Sequence, residues 1–167
     1  MLQEFGDENI YYQDESGFDE YFTRRHGYGL NGAKVHTQLS GKRYERQSIM
    51  ALRNHNHKLV EPMIYLSTAD SNTVLSYFEH TLPRLQPTNK TRTSIVILDN
   101  ASYHKSQQLK DLFKQHNCHL VFLPPYSPDL NPIEPLWGTI KQDLRNFYDY
   151  TLDLFHNLCN SVVKYSV

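Results

Sequence analysis

The stretch TSIVILDNASYHKSQQLKDLFKQHNCHLVFL, residues 93–123, decides the fold class. It holds two short apolar runs, 93–98 and 119–123, on either side of a helix-forming segment at 106–116. Uninterrupted apolar runs of this length are typical of strands buried on both faces of a sheet. Because parallel neighbours need a helical crossover, the stretch predicts a βαβ unit with a right-handed connection.

The segments before this unit predict an antiparallel start to the sheet. Residues 9–13 are rich in β-formers and predict a strand that ends at Asp14, followed by a Gly-rich loop. Two more β-rich segments, 43–55 and 58–66, surround a polar turn and predict a hairpin. Proline cannot donate to a sheet ladder, so Pro62 must lie at an edge or a bulge of that hairpin.

Helices are predicted where apolar residues recur at helical spacing. These segments are 71–85, capped by Ser71, then the residues around Leu136, Ile140 and Leu144, and finally 150–163. A short strand is also expected at 33–39. The order of elements predicts an α/β fold whose mixed sheet has an antiparallel hairpin followed by parallel strands, with helices on both faces.

Composition is that of one folded domain covering residues 1–167. Hydrophobic residues make up 39% and aromatic residues 13% of the chain, and the net charge of −1 gives no global sign of nucleic-acid binding. No apolar run reaches the length of a membrane span, so no membrane partner is expected. The acidic N-terminus lacks the layout of a signal peptide, and a cytoplasmic location is expected.

Two aspartates follow β-rich runs directly, namely Asp14 and Asp99. In α/β sheets, ligands bind outside the carboxyl ends of the strands, so both side chains are candidates for a functional site. Each has a plainer interpretation. Asp99 is also well placed for an Asx turn, and Glu15 and Asp19 compete with Asp14 for any acidic role.

A proline-rich segment, 123–135, leads from the second apolar run to Glu134. Five of the eight prolines of the chain lie in it, which restricts its backbone and predicts a stiff connection. Pro132 and Pro135 suit the first turn of a helix, so Glu134 is expected at a helix start held by a rigid loop. The plainer alternative is a capping box formed by Asn131 and Glu134.

Taken together, two strand-end aspartates and one glutamate on a stiff platform suggest a metal site. Three carboxylates are hard oxygen ligands, which suit Mg²⁺ or Mn²⁺ and not zinc. The candidate metal ligands and catalytic residues are Asp14, Asp99 and Glu134.

The motifs LDNASYHKS (98–106), LPPYSPDLNPIEPLWGTIK (123–141) and DESGF (14–18) resemble the catalytic core of DDE transposases. The resemblance is to the mariner-like superfamily, which includes many bacterial insertion sequences. It covers roughly residues 9–145, and the 34 residues between Asp99 and Glu134 match the spacing of the mariner-type group.

The resemblance implies a ribonuclease-H-like fold in which the three acidic residues bind two Mg²⁺ ions, with Mn²⁺ as a possible substitute. Two divalent ions can activate the attacking oxygen and stabilise the leaving one at a phosphodiester. The implied activity is DNA cleavage at transposon ends and strand transfer into target DNA, on bacterial chromosomal or plasmid DNA, by a homo-oligomer assembled on the DNA. The alternatives are a related nuclease acting on another nucleic acid, and an inactive or truncated relic that binds DNA or partner chains without catalysis.

Two features depart from the family pattern. Only thirteen residues precede Asp14, where the family carries a helix-turn-helix DNA-binding domain. That domain is expected to be absent, with a separate chain as its possible source. Pro135 also stands where the family more often has a polar or bulky residue, and it is expected to re-aim Glu134 slightly.

Other residues of these motifs have weaker functional interpretations. Asn100 and His104 are expected mainly to shape the turn and cap the following helix, with support of the metal ligands as the alternative. Trp137 is expected to anchor its helix in the core, and Tyr126 either stacks on a base or packs. The basic residues that could contact phosphates are Arg24, Arg25, Lys42, Arg43, Arg46, Lys105 and Lys141, although each alone is more simply a surface charge.

Overall fold

The computed structural model describes residues 9–19, 46–66, 68–85, 93–125 and 127–167. The strands are β1 (Ile10–Asp19), β2 (Arg46–Arg53), β3 (Leu59–Leu66), β4 (Ile95–Leu98) and β5 (His119–Phe122). The α-helices are α1 (Ser71–Thr81), α2 (Gln107–Gln115), α3 (Glu134–Phe147) and α4 (Leu154–Val163). Short 3₁₀ turns span Leu82–Arg84, Ser102–Lys105 and Pro128–Leu130.

The sheet has the strand order β3-β2-β1-β4-β5. β1 pairs antiparallel with β2 and parallel with β4, β2 pairs antiparallel with β3, and β4 pairs parallel with β5. The predicted hairpin and the predicted βαβ unit are therefore both confirmed. Strand β4 is buried along its whole length, as its unbroken apolar run predicted.

Helices cover both faces of the sheet. Neighbouring residues of β2 point to opposite sides, because strand side chains alternate. Ile49 and Ala51 pack with α3 and α4, whereas Met50 and Leu52 pack with α1 and α2. The three-layer arrangement gives two apolar cores that share one sheet.

Pro62 lies in β3, which is an edge strand of the sheet, as predicted. The β2–β3 register shifts between Met50 and Leu52, and Glu61 has a positive φ of 48°. The proline therefore sits beside a β-bulge at an edge, where the missing N–H costs no ladder hydrogen bond.

The prediction that the first strand ends at Asp14 is wrong. β1 continues to Asp19, because its register with β2 runs from Tyr12 opposite Arg53 to Asp19 opposite Arg46. Only the parallel pairing with β4 stops early, at Tyr12 opposite Ile97. Residues 15–19 thus belong to a strand and not to the predicted Gly-rich loop.

Three smaller predictions also need correction. β5 is not buried on both faces; it is an edge strand, and His119 and Val121 are exposed. The cap of α1 is Asp70, whose carboxylate accepts from the Thr73 N–H at 2.8 Å, and not Ser71. The last helix begins at Leu154, later than predicted. The strand predicted at 33–39 lies outside the described residues. Within the described part of the chain, the helices are too short or too polar to cross a membrane.

Candidate functional site

Asp14 and Asp99 occupy equivalent positions just beyond the parallel pairing of strands β1 and β4. Each lies two residues beyond the last parallel pair of β1 and β4, Tyr12 and Ile97. Tyr12 and Ile97 pack in one apolar cluster on one face of the sheet. Because side chains alternate along a strand, the two aspartates emerge on that same face.

Asp14 is largely buried under α3. The indole Nε1–H of Trp137 donates a hydrogen bond to Asp14 Oδ2 at 2.9 Å. Burial raises the pKa of Asp14 to about 6, against the opposing effect of hydrogen bonds from the Glu15 N–H and the indole. The negative charges of Glu134 and Asp99 raise this pKa further, so the three carboxylates interact electrostatically.

Asp99 is held from its own loop. The ring Nδ1 of His104 lies 2.6 Å from Asp99 Oδ1, and the Ala101 N–H donates to the same oxygen at 3.0 Å. An ionised carboxylate only accepts, so Nδ1 carries the proton. The hydrogen bond from His104 is the main cause that lowers the pKa of Asp99.

The two interpretations of the Asp99 loop therefore coexist. The Ala101 contact is the predicted Asx turn. His104, however, does not cap α2, because that cap is Ser106, which accepts from the Leu109 N–H at 3.3 Å. Its buried ring supports Asp99 directly, which is the alternative role that the sequence left open.

Glu134 is the first residue of α3 and is exposed. Pro135 occupies the first turn of that helix, as predicted. No capping box forms with Asn131. The side-chain amide of Asn131 donates instead to the Gln13 carbonyl at 3.5 Å. The Glu134 N–H donates to the backbone oxygen of Asn131 at 3.2 Å, and not to its side chain. The helix start is thus tied to the backbone of β1, next to Asp14.

Asp99 and Glu134 line one open cavity of about 410 Å³. Its far wall is the proline-rich segment, including Pro124, Pro125 and Pro128. Asp14 is not among the residues that line this cavity, and its carboxylate accepts the hydrogen bond from Trp137. The arrangement is a cleft with two accessible carboxylates and a third, more buried one beside them.

Carboxylate oxygens are hard ligands, so Asp14, Asp99 and Glu134 match Mg²⁺ or Mn²⁺ in donor chemistry. Burial, and to a lesser extent the charges of Glu134 and Asp99, disfavour the ionised form of Asp14, and a cation bound between these carboxylates would offset that cost. As the side chains stand, no three His, Cys, Asp or Glu residues in the described ranges lie close enough to share one ion. Asp14, Asp99 and Glu134 are therefore too far apart to share one ion, and joint coordination requires their carboxylates to move closer.

The competing acidic residues lie elsewhere. Glu15 faces the opposite side of β1 and accepts hydrogen bonds from Tyr65 and Tyr103. Asp19 is exposed at the end of β1, opposite Arg46. Strand alternation thus selects Asp14 as the partner of Asp99.

The contact between Trp137 and Asp14 was missed by the sequence analysis. Trp137 packs in the core against Phe18, as predicted, but it also donates to a candidate metal ligand. A signal was present: a buried indole N–H needs an acceptor, and Trp137 lies one helical turn after Glu134.

Among the basic residues, Lys141 lies 5.3 Å from the centroid of the Phe18 ring, and burial is the main cause that lowers its pKa. Lys105 and Arg46 are exposed. The remaining candidates, Arg24, Arg25, Lys42, Arg43 and the aromatic Tyr126, lie outside the described residues.

Comparison with known proteins places the chain in a family. Residues 9–153 match the family model described as DDE superfamily endonuclease. The Tc3 transposase of Caenorhabditis elegans is 50% identical over 42 residues, which are 25% of this chain and 13% of that protein. The Tc1 transposase of the same organism is 36% identical over 67 residues, 40% of this chain and 24% of that protein.

The fold is shared with solved structures. The Mos1 strand transfer complex matches with a TM-score of 0.73 and 16% identity, over 95% of this chain and 47% of that one. This likeness confirms the predicted ribonuclease-H-like arrangement of the mixed sheet. The chain spans less than half the length of each of these relatives. Since the family model covers most of the chain, the protein belongs to the DDE superfamily endonuclease family.

Proposed function

We propose that this chain is the catalytic core of a transposase, which cuts DNA at transposon ends and joins those ends to target DNA. The observation that carries the proposal is the common face of Asp14 and Asp99 at the ends of their parallel pairing, with Glu134 interacting electrostatically from α3. Membership of the family supports it. The similar Tc1 and Tc3 proteins are transposases by name.

Asp14, Asp99 and Glu134 are the residues that would hold the divalent ions. Two Mg²⁺ ions, or Mn²⁺ in their place, would supply activation of the attacking oxygen and stabilisation of the leaving one. A similar Mos1 paired-end complex was solved with Mn and a similar Mos1 catalytic domain with Mg, which supports this choice of cation.

The chain itself supplies orientation. The His104 imidazole and the Ala101 N–H both hold the Oδ1 oxygen of Asp99, which fixes the orientation of that carboxylate. The Trp137 indole holds Asp14. The stiff segment before α3 limits the positions of Glu134 and forms one wall of the cleft, against which a DNA strand would lie.

DNA is the proposed partner, both as transposon ends and as target. Two similar Mos1 structures are paired-end complexes, which supports a homo-oligomer that brings two ends together. Recognition of the end sequence by a helix-turn-helix domain on a separate chain belongs to the same proposal.

The test uses the purified chain, the separate chain that carries the helix-turn-helix domain, Mg²⁺ or Mn²⁺, and a supercoiled plasmid with the terminal inverted repeats of the element. We expect nicking at the repeats that is abolished in Asp99→Asn and in Glu134→Gln. Asp111→Asn is the matched control, because Asp111 is an exposed carboxylate on α2. It should cleave like the unmodified chain.

Calorimetric titration with Mn²⁺ gives an independent readout. Binding that is lost in Asp99→Asn, with the circular dichroism spectrum unchanged, supports the proposal. Absence of any divalent-ion binding by a folded chain contradicts it. Cleavage of RNA–DNA hybrids in preference to the repeats would instead indicate a different nuclease.

A further inference from the structure

The carboxylate of Glu15 joins two tyrosines from distant parts of the chain. The hydroxyl of Tyr65, on edge strand β3, donates to Glu15 Oε2 at 3.1 Å. The hydroxyl of Tyr103, in the 3₁₀ turn that follows Asp99, donates to Glu15 Oε1. Each carboxylate oxygen thus has one phenol as its partner, on the face of β1 opposite Asp14.

Tyr103 connects this cluster to the metal-site candidates. Its ring packs edge-on against the ring of His104, with centroids 4.5 Å apart, and His104 holds Asp99. Glu15 is the chain neighbour of Asp14. A continuous set of contacts therefore runs from Asp14 through the backbone to Glu15, then through Tyr103 and His104 to Asp99.

We propose that Glu15 is a positioning residue that sets the separation of Asp14 and Asp99 by tying the turn 102–105 to β1 through Tyr103. The inference rests on the proposed function for its consequence, since separation of the two aspartates matters for holding a divalent ion. Parallel pairing between β1 and β4 ends before either aspartate, so backbone hydrogen bonds between these strands do not supply this constraint.

The chemistry suits a permanent tether. Burial raises the pKa of the Tyr103 hydroxyl, and its bond to Glu15 raises it further, so the phenol stays protonated and donates. A hydrogen bond to an ionised acceptor is stronger than one between neutral groups. The phenol is therefore the donor in its hydrogen bond with the Glu15 carboxylate.

Two conservative variants separate positioning from general stabilisation. Tyr103→Phe removes the hydroxyl that ties the turn after Asp99 to Glu15. Tyr65→Phe is the matched control. It also removes a hydroxyl that donates to Glu15, but this hydroxyl belongs to β3 and not to the turn 102–105. Both rings keep their places in the same apolar cluster. A merely structural role for the cluster predicts equal effects of the two variants.

The readouts are the Mn²⁺ dissociation constant from calorimetry and amide hydrogen exchange of residues 99–105 without added metal. For Tyr103→Phe we expect 10- to 100-fold weaker Mn²⁺ binding and faster exchange in this segment. For Tyr65→Phe we expect binding within about threefold of the unmodified chain and unchanged exchange there. Glu15→Ala should reproduce the Tyr103→Phe exchange pattern.

Equal effects of the two tyrosine variants on both readouts would overturn the inference, and so would unchanged exchange of 99–105 in Tyr103→Phe. Failure of the proposed function has a different signature, because the unmodified chain would then bind no Mn²⁺ at all. In that case the exchange experiment still decides whether Glu15 tethers the turn.

Discussion

The indole nitrogen of Trp137 and the carboxylate of Asp14 meet at 2.9 Å, between residues 123 positions apart in the chain. The contact joins the core of α3 to the middle of β1, where Asp14 would otherwise be a buried carboxylate beside two other negative charges. A side chain that anchors the hydrophobic core thereby also fixes the orientation of a candidate metal ligand.

Trp137→Phe should separate these two roles. The phenyl ring retains most of the packing, but the donor to Asp14 is lost, so we expect Mn²⁺ binding about 10- to 100-fold weaker. Losing a hydrogen bond to a charged group should lower the free energy of unfolding by about 1–3 kcal/mol. Calorimetry and urea unfolding measure the two effects. Phe18→Leu, which alters the packing partner of Trp137 without touching the donor, is the control. If it weakens Mn²⁺ binding as much, packing alone explains the result.

Asp14→Asn should stabilise the chain at neutral pH in the absence of divalent ions. The pKa of Asp14 is raised from 3.8 to about 6 in the folded state, so the folded state binds this proton more tightly than the unfolded state. The protonated Asp14 carboxyl therefore contributes to folding stability in full below pH 3.8, and this contribution is lost as the pH rises through about 6. A shift of this size corresponds to roughly 3 kcal/mol.

The measurement is urea unfolding of Asp14→Asn and the unmodified chain, with chelator, at pH 4 and pH 7.5. We expect a gain from the substitution at pH 7.5 that shrinks or disappears at pH 4. Asp111→Asn, at an exposed position, should show no such dependence. A loss of stability from Asp14→Asn at pH 7.5 would show that the carboxylate is not disfavoured by its surroundings.

His104→Phe should release Asp99 while filling the same buried space. The hydrogen bond from His104 is the main cause that lowers the pKa of Asp99. A lowered carboxyl pKa contributes stability above the ordinary value of 3.8, and this stability is lost as the pH falls through the folded pKa. The variant should therefore lose about 1–3 kcal/mol near pH 7 and less at pH 3. Unfolding at both pH values tests this, and an equal loss at both would point to packing alone.

The proline-rich segment should affect activity more than stability. Replacing Pro124, Pro125 and Pro128 with alanine loosens the connection that leads to Glu134, while these prolines are largely exposed. We expect the nicking rate to fall at least tenfold, with little change in the melting temperature. Pro83→Ala, an exposed proline in the 3₁₀ turn after α1, is the control and should alter neither quantity. Parallel loss of rate and melting temperature in the triple variant would contradict this account.

The sequence predicted the elements whose hydrophobic pattern is strong. The runs at 93–98 and 119–123 contain strands β4 and β5, and the segment between them contains helix α2, because period and length leave little choice there. The prediction of a loop at residues 15–19 was wrong, because Ser16 and Gly17 have weak strand propensity although they lie in β1. Pairing with β2 overrides that propensity, and no local pattern encodes it.

The candidate site divides in the same way. Motifs alone were enough to propose Asp14, Asp99 and Glu134 as site residues, since their residue types, neighbours and spacing are local properties of the chain, and their role as metal ligands stays a prediction. The partners of these residues were not predictable, because Trp137 reaches Asp14 only through the packing of α3 on the sheet. Glu15 and Asp14 are adjacent and chemically alike, and only strand alternation within the folded sheet directs Glu15 to the tyrosines and Asp14 to Trp137.

The amino-acid sequence by itself thus determined the fold class, the family motifs and which acidic residues are candidates for the site. The tertiary structure alone decided which side chains hold those acids and how far β1 extends. The physical reason is range: periodicity and motif spacing act along the chain, whereas hydrogen bonds and burial depend on residues that become neighbours only when the sheet and helices pack.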